Sequence, residues 1–406
     1  MSKTTPVAAA ATAKAGSLAM TWAATIVTTA LVAFSVVGGV EGTTSSTASS
    51  WSRWSGGSNE ERSFIGASGF RVAFQGERGA YSEKAVRELL GPNVQPVGKD
   101  SFEDAFQAVA SHEVDYALLP IENSLGGSIH KNYDLLLRYD NVYIIAEHTL
   151  RVRHSLLGLP GTKKKDVKTV MSHPQALAQC DNYLRQLGVK QEPKYDTAGS
   201  AKFIKENNLE GCAAIASDLA AEIYGLDVLD SNIEDDDVNY TRFMLLSRRP
   251  VGADIPKGMD AKTTLVFLVE SEPGALYKAL ACFALRDIDL MKCESRPTSV
   301  KLLKYLAIND TPGTKRQRGG GAAGHLSGEA EVGTEETRFR YCFYLDYAAC
   351  ELDPKARNAL YHLQEQSDYV RVLGSYPRDS KLVGPIRHSL DALNRQSDKI
   401  GGADPM

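Results

Sequence analysis

Cysteine is sparse and irregularly placed. The six thiols, Cys180, Cys212, Cys282, Cys293, Cys342 and Cys350, form no CxxC pair. That spacing excludes a zinc ribbon and offers no disulfide framework, so free thiols are expected. The eight histidines show neither HxH nor HExxH spacing, and no metal is expected. No basic face stands out in a chain of net charge −4, so nucleic acid is not an expected partner. What is present is globular: 406 residues, 43% hydrophobic and 24% charged, long enough for two or three domains.

Acids are missing before Glu41, and no charge of either sign occurs from Ala15 to Val40. Lys3 and Lys14 precede that run, and 10 of the 18 residues from Glu41 to Ser58 are Ser or Thr. Residues 1–69 therefore read as a leader whose second half cannot bury enough apolar surface to fold. The apolar segment at 15–40 fits a transmembrane anchor or the h-region of a cleaved signal. The hydroxyl-rich, acid-poor tail resembles a transit peptide. A signal and a transit sequence in tandem resemble the bipartite leader of algae with complex plastids, which implies a plastid; an anchored form or another organelle stays open. Contact with a membrane is expected only through an uncleaved leader.

From about residue 70 to 250, strand-like and helix-like runs alternate, which implies an α/β architecture. Arg71–Phe74 leads into Gln75-Gly76-Glu77-Arg78-Gly79-Ala80-Tyr81-Ser82-Glu83 and then a helix with Ala85, Val86, Leu89 and Leu90 on one face. A strand, a glycine loop and a helix N-terminus can cradle an anion; a plain βα turn explains the same residues. The loop is neither a P-loop nor GxGxxG. Ser101 is placed to cap a helix carrying Phe102, Ala105, Phe106 and Val109. Tyr116–Ile121 is a buried strand ending in Glu122-Asn123-Ser124-Leu125-Gly126-Gly127-Ser128, at a strand C-terminus where α/β sheets bind ligands. Ser172-His173-Pro174-Gln175 fits a capping box, and Asp196 heads another helix. Asn239-Tyr240-Thr241-Arg242-Phe243 joins an acidic loop to an apolar strand, presenting a hydroxyl, a guanidinium and a ring on a rigid base. Polar sets in two apparent halves suggest two lobes with a cleft between them.

The ordered series GERGAYSE, LLPIENSLGGS, SHPQALAQC, DTAGSA, AAIAS and NYTRF resembles the prephenate and arogenate dehydratase family. The resemblance implies a two-lobed fold like that of periplasmic binding proteins, with prephenate or arogenate as substrate and Thr241 as the essential residue. Arg242, Phe243, Glu122, Asn123 and Ser124 are expected beside it as catalytic residues. Gly79, Ala80, Tyr81, Ser82, Gly126, Gly127, Ser172, Gln175 and Asn239 are expected to bind substrate. The substrate is a cyclohexadienol that loses CO₂ and hydroxide as its ring becomes aromatic. Aromatisation supplies the driving force, so neither cofactor nor metal is required. Thr241 can donate a hydrogen bond to the departing oxygen, and Arg242 can pair a carboxylate. Glu122 can orient these donors or, if protonated, act as acid.

Residues 262–380 read as βαββαβ, a ferredoxin-like α+β sandwich. Glu272-Pro273-Gly274-Ala275-Leu276 and Glu294-Ser295-Arg296-Pro297 resemble the ACT regulatory domain of the same enzymes. The resemblance implies that L-phenylalanine binds as effector at Gly274, Ala275, Leu276, Glu294, Ser295, Arg296 and Pro297 between subunits of a dimer or tetramer. The family's first motif usually reads GALV; here Tyr277 replaces the valine. This region is expected to be detachable after about Ala261. Residues 311–337, rich in glycine, read as a disordered insertion, and 381–406 as a polar tail. No chorismate mutase helices precede residue 70. A non-catalytic aromatic amino acid sensor with a binding-protein cleft is the alternative function. The C-terminal stretch FYLDYAACELDPKARNALYHLQEQSDYVRVLGSYPRD looks closer to plant-type arogenate enzymes.

Overall fold

The computed structural model describes residues 69–270, 272–298, 340–384, 386–388 and 390–391. Residues 1–68 of the leader, the 311–337 insertion and the tail beyond residue 391 lie outside the described residues; the start of the expected polar tail is not peripheral, because Val383, Ile386 and Leu390 are buried in the core that holds Phe74 and Leu118. In chain order the first lobe comprises β1 (Arg71–Gln75), α1 (Tyr81–Leu90), β2 (Gln95–Lys99), α2 (Phe102–Ala110), β3 (Tyr116–Asn123), β4 (Gly127–Ser128), α3 (His130–Arg138) and β5 (Tyr143–Arg151). The second lobe follows as β6 (Ser155–Gly158), β7 (Thr169–Ser172), α4 (Pro174–Gln179), α5 (Asp181–Leu187), β8 (Lys190–Pro193), α6 (Thr197–Glu206), β9 (Cys212–Ala216), α7 (Asp218–Tyr224) and β10 (Asp227–Ser231). The chain then returns to the first lobe as β11 (Tyr240–Ser247). The C-terminal unit contains β12 (Ala261–Leu268), α8 (Ala275–Ala284), β13 (Leu290–Thr298), β14 (Arg340–Tyr347), α9 (Pro354–Gln366) and β15 (Tyr369–Pro377).

The first sheet has the order β2-β1-β3-β11-β5, with β4 on β3, and the second β10-β6-β9-β7-β8. Each lobe thus holds one α/β sheet, and the chain crosses between them at 152–154 and again at 232–239. The two crossings are tied by Val152 N–H to the Asn239 carbonyl (2.8 Å) and Ile233 N–H to the His154 carbonyl (3.1 Å). Local signals account for the helix starts. Ser101 Oγ accepts the Asp104 amide, Asp196 the Gly199 amide and Ser217 the Ala220 amide, each satisfying an orphan donor of a first turn.

Because β11 lies antiparallel between β3 and β5, its alternate residues enter different cores. Phe243 and Leu245 join the core that also holds Phe74, Leu118 and Ile145. Met244 and Leu246 join a second core with Ile121, Tyr133 and Leu135, and that core continues into Val266, Leu268, Tyr344, Leu373 and Tyr376 of the C-terminal unit.

The C-terminal sheet runs β13-β14-β12-β15, all antiparallel, the expected βαββαβ arrangement. One face packs on its own helices through Leu265, Phe267, Phe283, Leu345 and Leu363, and the other packs on the first lobe. Gly374 lets β15 approach β5: a Cβ there would stand 2.0 Å from the Ile144 carbonyl oxygen. Ser295-Arg296-Pro297, one of the expected effector motifs, is part of β13, which runs to Thr298. A proline is tolerated there because β13 is an edge strand.

Candidate active site

The site forms where β3 and β11 end side by side, with Thr241 opposite Asn123 and Arg242 opposite Glu122. The register slips between Arg242 and Phe243, so that Phe243 faces Pro120 and Ile121 is the extra residue on β3. Such bulges re-aim side chains. Neighbouring residues on a strand point to opposite faces, and the slip keeps the pairs in phase. Thr241 and Asn123 therefore face the space between the lobes, whereas Arg242 and Glu122 face the C-terminal unit.

On the interlobe face, Asn123 Nδ2 lies 3.0 Å from Thr241 Oγ1, 2.8 Å from Asn239 Oδ1 and 3.1 Å from the Tyr240 carbonyl. Its Oδ1 accepts the amides of Leu125 (3.0 Å) and Gly126 (2.7 Å). Asn239 in turn donates to Gln179 Oε1 (3.1 Å), which lies 2.8 Å from His154 Nε2. His154 Nδ1 is 2.7 Å from the Tyr81 hydroxyl. The Tyr81 hydroxyl also reaches the Arg153 carbonyl at 3.0 Å, so its one proton is shared between that carbonyl and the nearer His154 Nδ1. A neutral His154 with its proton on Nε2 donates to Gln179 and accepts from Tyr81 at Nδ1. Burial of the imidazole lowers its pKa, with Gln179 and Glu234 opposing the shift, which favours the neutral ring. Burial, aided by Cys180, Glu234 and Asp218, holds the Tyr81 hydroxyl pKa well above its ordinary value. The consequence at the far end is directional. Thr241 Oγ1 accepts from Asn123, which leaves its own O–H free to donate toward the cleft. Ser124 fixes the same strand ends: its Oγ donates to the Val238 carbonyl and accepts the Tyr240 amide, both at 2.9 Å.

On the opposite face the Arg242 guanidinium meets three carboxylates: Glu122 at 2.6 Å, Asp346 at 3.0 Å and Glu147 at 3.2 Å. Lys292 caps Glu122 from β13, and Lys262 reaches Glu147 at 2.6 Å. Burial alone would raise the Glu122 pKa, but Arg242 and Lys292 outweigh it and hold the carboxyl below its usual range. That favours the orienting role for Glu122 over the acid. Arg242 Nε and Nη1 are engaged by these carboxylates, and the side chain stands on the face away from Thr241, where it lines a cavity with Glu122, Asn123, Thr149 and Tyr240. Arg242 and Thr241 thus lie on opposite faces, because a one-residue step along a strand turns the side chain through the sheet. Phe243 is 2% exposed and belongs to the core, so it supports the strand rather than lining the cleft.

The remaining expected site residues fall into three groups. Asn239 and Tyr81 join the network above, and Gln175 lies alongside Gly126, within 2.6 Å of where a Cβ on that glycine would stand. Gly127 pairs with Asn123 in the β3–β4 turn. Ser172 is fully buried, and its hydroxyl donates to the Ile215 carbonyl at 2.7 Å; His173, not Ser172, caps α4 by accepting the Gln175 amide. Gly79 and Ala80 belong to the packing at the start of α1 against the second lobe, and Ser82 is buried in the first turn of α1. The Gly79 amide is taken by buried Glu83 (2.8 Å), its carbonyl accepts from Ser217 (2.6 Å), and its φ is +83°. A Cβ there would stand 2.8 Å from Ala220 Cα. The amides that could have cradled an anion are thus already partly spent on protein contacts.

Among the expected effector residues, Glu294 binds Ser128 (2.5 Å) and His130 (2.6 Å), and Arg296 binds Asp134 (2.5 Å). Both point at the first lobe. Ser295 and Pro297 lie on the exposed face of the strand, and Gly274, with φ +80°, precedes Ala275 and Leu276 at the start of α8.

Sequence reasoning missed Gln179, His154, Lys292, Asp346, Glu147 and Lys262. Gln179 had a signal, since it lies four residues after Gln175 on the same face of α4. The others are single polar residues in apolar strands or crossings.

A two-lobed α/β fold with an amide-lined interlobe site, joined to a ferredoxin-like unit, defines the class. The prephenate dehydratase family model matches residues 72–251. The chain is 47% identical over 323 residues to arogenate dehydratase/prephenate dehydratase 2, chloroplastic, of Arabidopsis thaliana, covering 79% of this chain and 76% of that relative. Among solved structures it resembles the prephenate dehydratase of Arthrobacter aurescens in complex with L-Phe, with TM-score 0.61, 28% identity and coverage of 82% of this chain and 98% of that one. It also resembles GqqA, described as a novel type of quorum quenching acylase, with TM-score 0.61, 32% identity and coverage of 78% and 99%. The chain belongs to the arogenate/prephenate dehydratase family and is an enzyme of that class.

Proposed function

We propose that the enzyme carries out the decarboxylating dehydration of arogenate to L-phenylalanine, and of prephenate to phenylpyruvate, with arogenate the preferred substrate. In this reaction the bond from the ring to its carboxylate breaks, and CO₂ departs. The electron pair enters the ring, the C–O bond breaks, and the oxygen leaves as water after taking up a proton. The single observation that carries the reading is the Asn123–Thr241 contact of 3.0 Å. In that contact Thr241 Oγ1 accepts from Asn123, which supports the reading that its O–H donates to the leaving oxygen. Asn123, held by Asn239 and the Leu125 and Gly126 amides, is preorganised, which is what such stabilisation requires.

The fold alone does not fix the reaction, since a structural relative bears an acylase's name; the residues around Thr241 favour the dehydratase. L-Phenylalanine is the proposed effector, acting on the C-terminal unit read as an ACT domain, in an assembly at least dimeric. A plastid location is proposed from the leader's composition together with a chloroplastic relative. Incubating the purified chain with each substrate and quantifying phenylpyruvate by absorbance and phenylalanine by chromatography tests the reading. Faster turnover of arogenate is expected. Turnover of neither substrate, with ligand binding retained, would favour the sensor.

A further inference from the structure

The second face of the β3–β11 pair, opposite the Asn123–Thr241 contact, holds a charge array. Three cations, Arg242, Lys262 and Lys292, are set among four acids, Glu122, Glu147, Asp346 and Glu294. The array draws its members from both parts of the molecule: β3, β5 and β11 of the first lobe, and β12, β13 and β14 of the C-terminal unit. Asp346 is 4% exposed and also accepts from Thr264 Oγ1 at 2.7 Å. Lys292 additionally reaches Ser128 of β4 at 3.1 Å. A buried guanidinium left without one of its carboxylates is costly, so these contacts hold the strand ends firmly.

Glu122 is one peptide from Asn123, and Arg242 is one peptide from Thr241. Any shift of the charged pair is therefore carried directly to the pair on the interlobe face. We propose that Lys292 and Asp346, both from the C-terminal unit, are positioning residues for the dehydration. They clamp Glu122 and Arg242 and thereby set the Asn123–Thr241 geometry through the thickness of one sheet. The inference rests on the dehydratase reading above. It places completion of the site in the ferredoxin-like unit: the face of β13 that bears Lys292 also bears Glu294 and Arg296, which grip Ser128, His130 and Asp134.

The test compares Asp346→Asn, Lys292→Met and Lys292→Arg in the full chain. Neither Asp346 nor Lys292 lines the interlobe site, so KM should stay within about twofold of wild type. The value of kcat should fall about 10- to 100-fold for Asp346→Asn and Lys292→Met, the scale expected when a reacting group is misplaced by an ångström or less. Lys292→Arg, which keeps the cation, should recover most of the rate. Hydrogen–deuterium exchange offers a readout independent of turnover. The Leu125 and Gly126 amides, held by Asn123 Oδ1, should exchange faster in Lys292→Met than in wild type. A rise in KM with kcat unchanged would overturn the proposal and make Arg242 a substrate ligand. So would wild-type kcat and exchange in both variants. Wild-type protein inactive on both substrates, with the amide exchange difference intact, would instead indict the dehydratase reading.

Discussion

Replacing Thr241 by valine keeps the side chain's shape and removes its hydroxyl, and the structure separates the effects on rate and stability. Asn123 Nδ2 has two protons and three acceptors within 3.1 Å. Losing Thr241 Oγ1 leaves Asn239 Oδ1 and the Tyr240 carbonyl, one for each proton, so no buried donor is stranded. The loss in stability should stay below about 1 kcal/mol, the net worth of an ordinary hydrogen bond, equivalent to a drop of about 2–4 °C in Tm for a domain of this order of size. The rate should respond very differently. A preorganised donor aimed at developing charge is typically worth about 2.7–4 kcal/mol, or about 100- to 1000-fold in kcat. The assay measures release of phenylpyruvate and phenylalanine from the two substrates beside a thermal melt of the same preparation. Thr241→Ser, which restores the donor, should recover most of the activity. A valine variant that keeps more than about a tenth of the wild-type rate would refute the assignment, since no loss of an essential donor is that mild.

Two further outcomes follow from the interlobe contacts. The lowered pKa of His154 means that the unfolded chain takes up its proton first as pH falls. Its stability contribution is therefore fully present above the unfolded value of about 6.5 and lost as pH drops through the lower folded value. Melts of wild type and His154→Asn between pH 8 and pH 5 should diverge most at the neutral end, and parallel profiles would show that His154 is not buried neutral. Gly79→Ala places a Cβ 2.8 Å from Ala220 Cα at φ +83°, so Tm should fall by several degrees through a loss of at least about 1 kcal/mol, with KM of the surviving protein unchanged. A raised KM with unchanged Tm would return the loop to the role of an anion cradle.

The fold was largely legible because its signals are local. Alternating apolar runs, caps at Ser101 and Asp196, and Gly225 ending α7 in the left-handed region each follow from short-range chemistry. The six motifs likewise announced a site at the ends of β3 and β11. What the motifs could not convey is which side of the sheet each residue faces. Thr241-Arg242 and Glu122-Asn123 read as single clusters in sequence, yet period-two alternation splits each dipeptide between two environments. Alternation by itself was in plain view, but its phase on β3 depends on the register slip at Ile121, which no local pattern predicts. The partners of Arg242 were hidden for a related reason: Asp346 lies 104 residues away on a strand of another unit, and only tertiary packing brings it near.

The same split bears on whether the C-terminal unit is a detachable regulator. Beside the charge array, its sheet face rests on the first lobe through a continuous apolar core. Val266, Leu268, Tyr344 and Tyr376, each at most 3% exposed, share one core with Ile121, Leu135 and Met244 of the first lobe. The Tyr344 hydroxyl donates to the Tyr133 carbonyl at 3.2 Å, and the Tyr133 and Tyr344 rings lie 4.5 Å apart. Arg371 is anchored on the carbonyls of Leu136 in the last turn of α3 and of Tyr139 and Asp140 just beyond it. A cut after Ala261 would open this core to water, where each large side chain uncovered costs about 1.5–3 kcal/mol, and would strip Arg242 of Asp346 and Glu122 of Lys292. The boundary suggested by the motifs is thus a boundary between sheets but not between cores. A unit so placed can influence the reaction without sending a signal over any distance, because its charges already stand against the strand that carries Thr241.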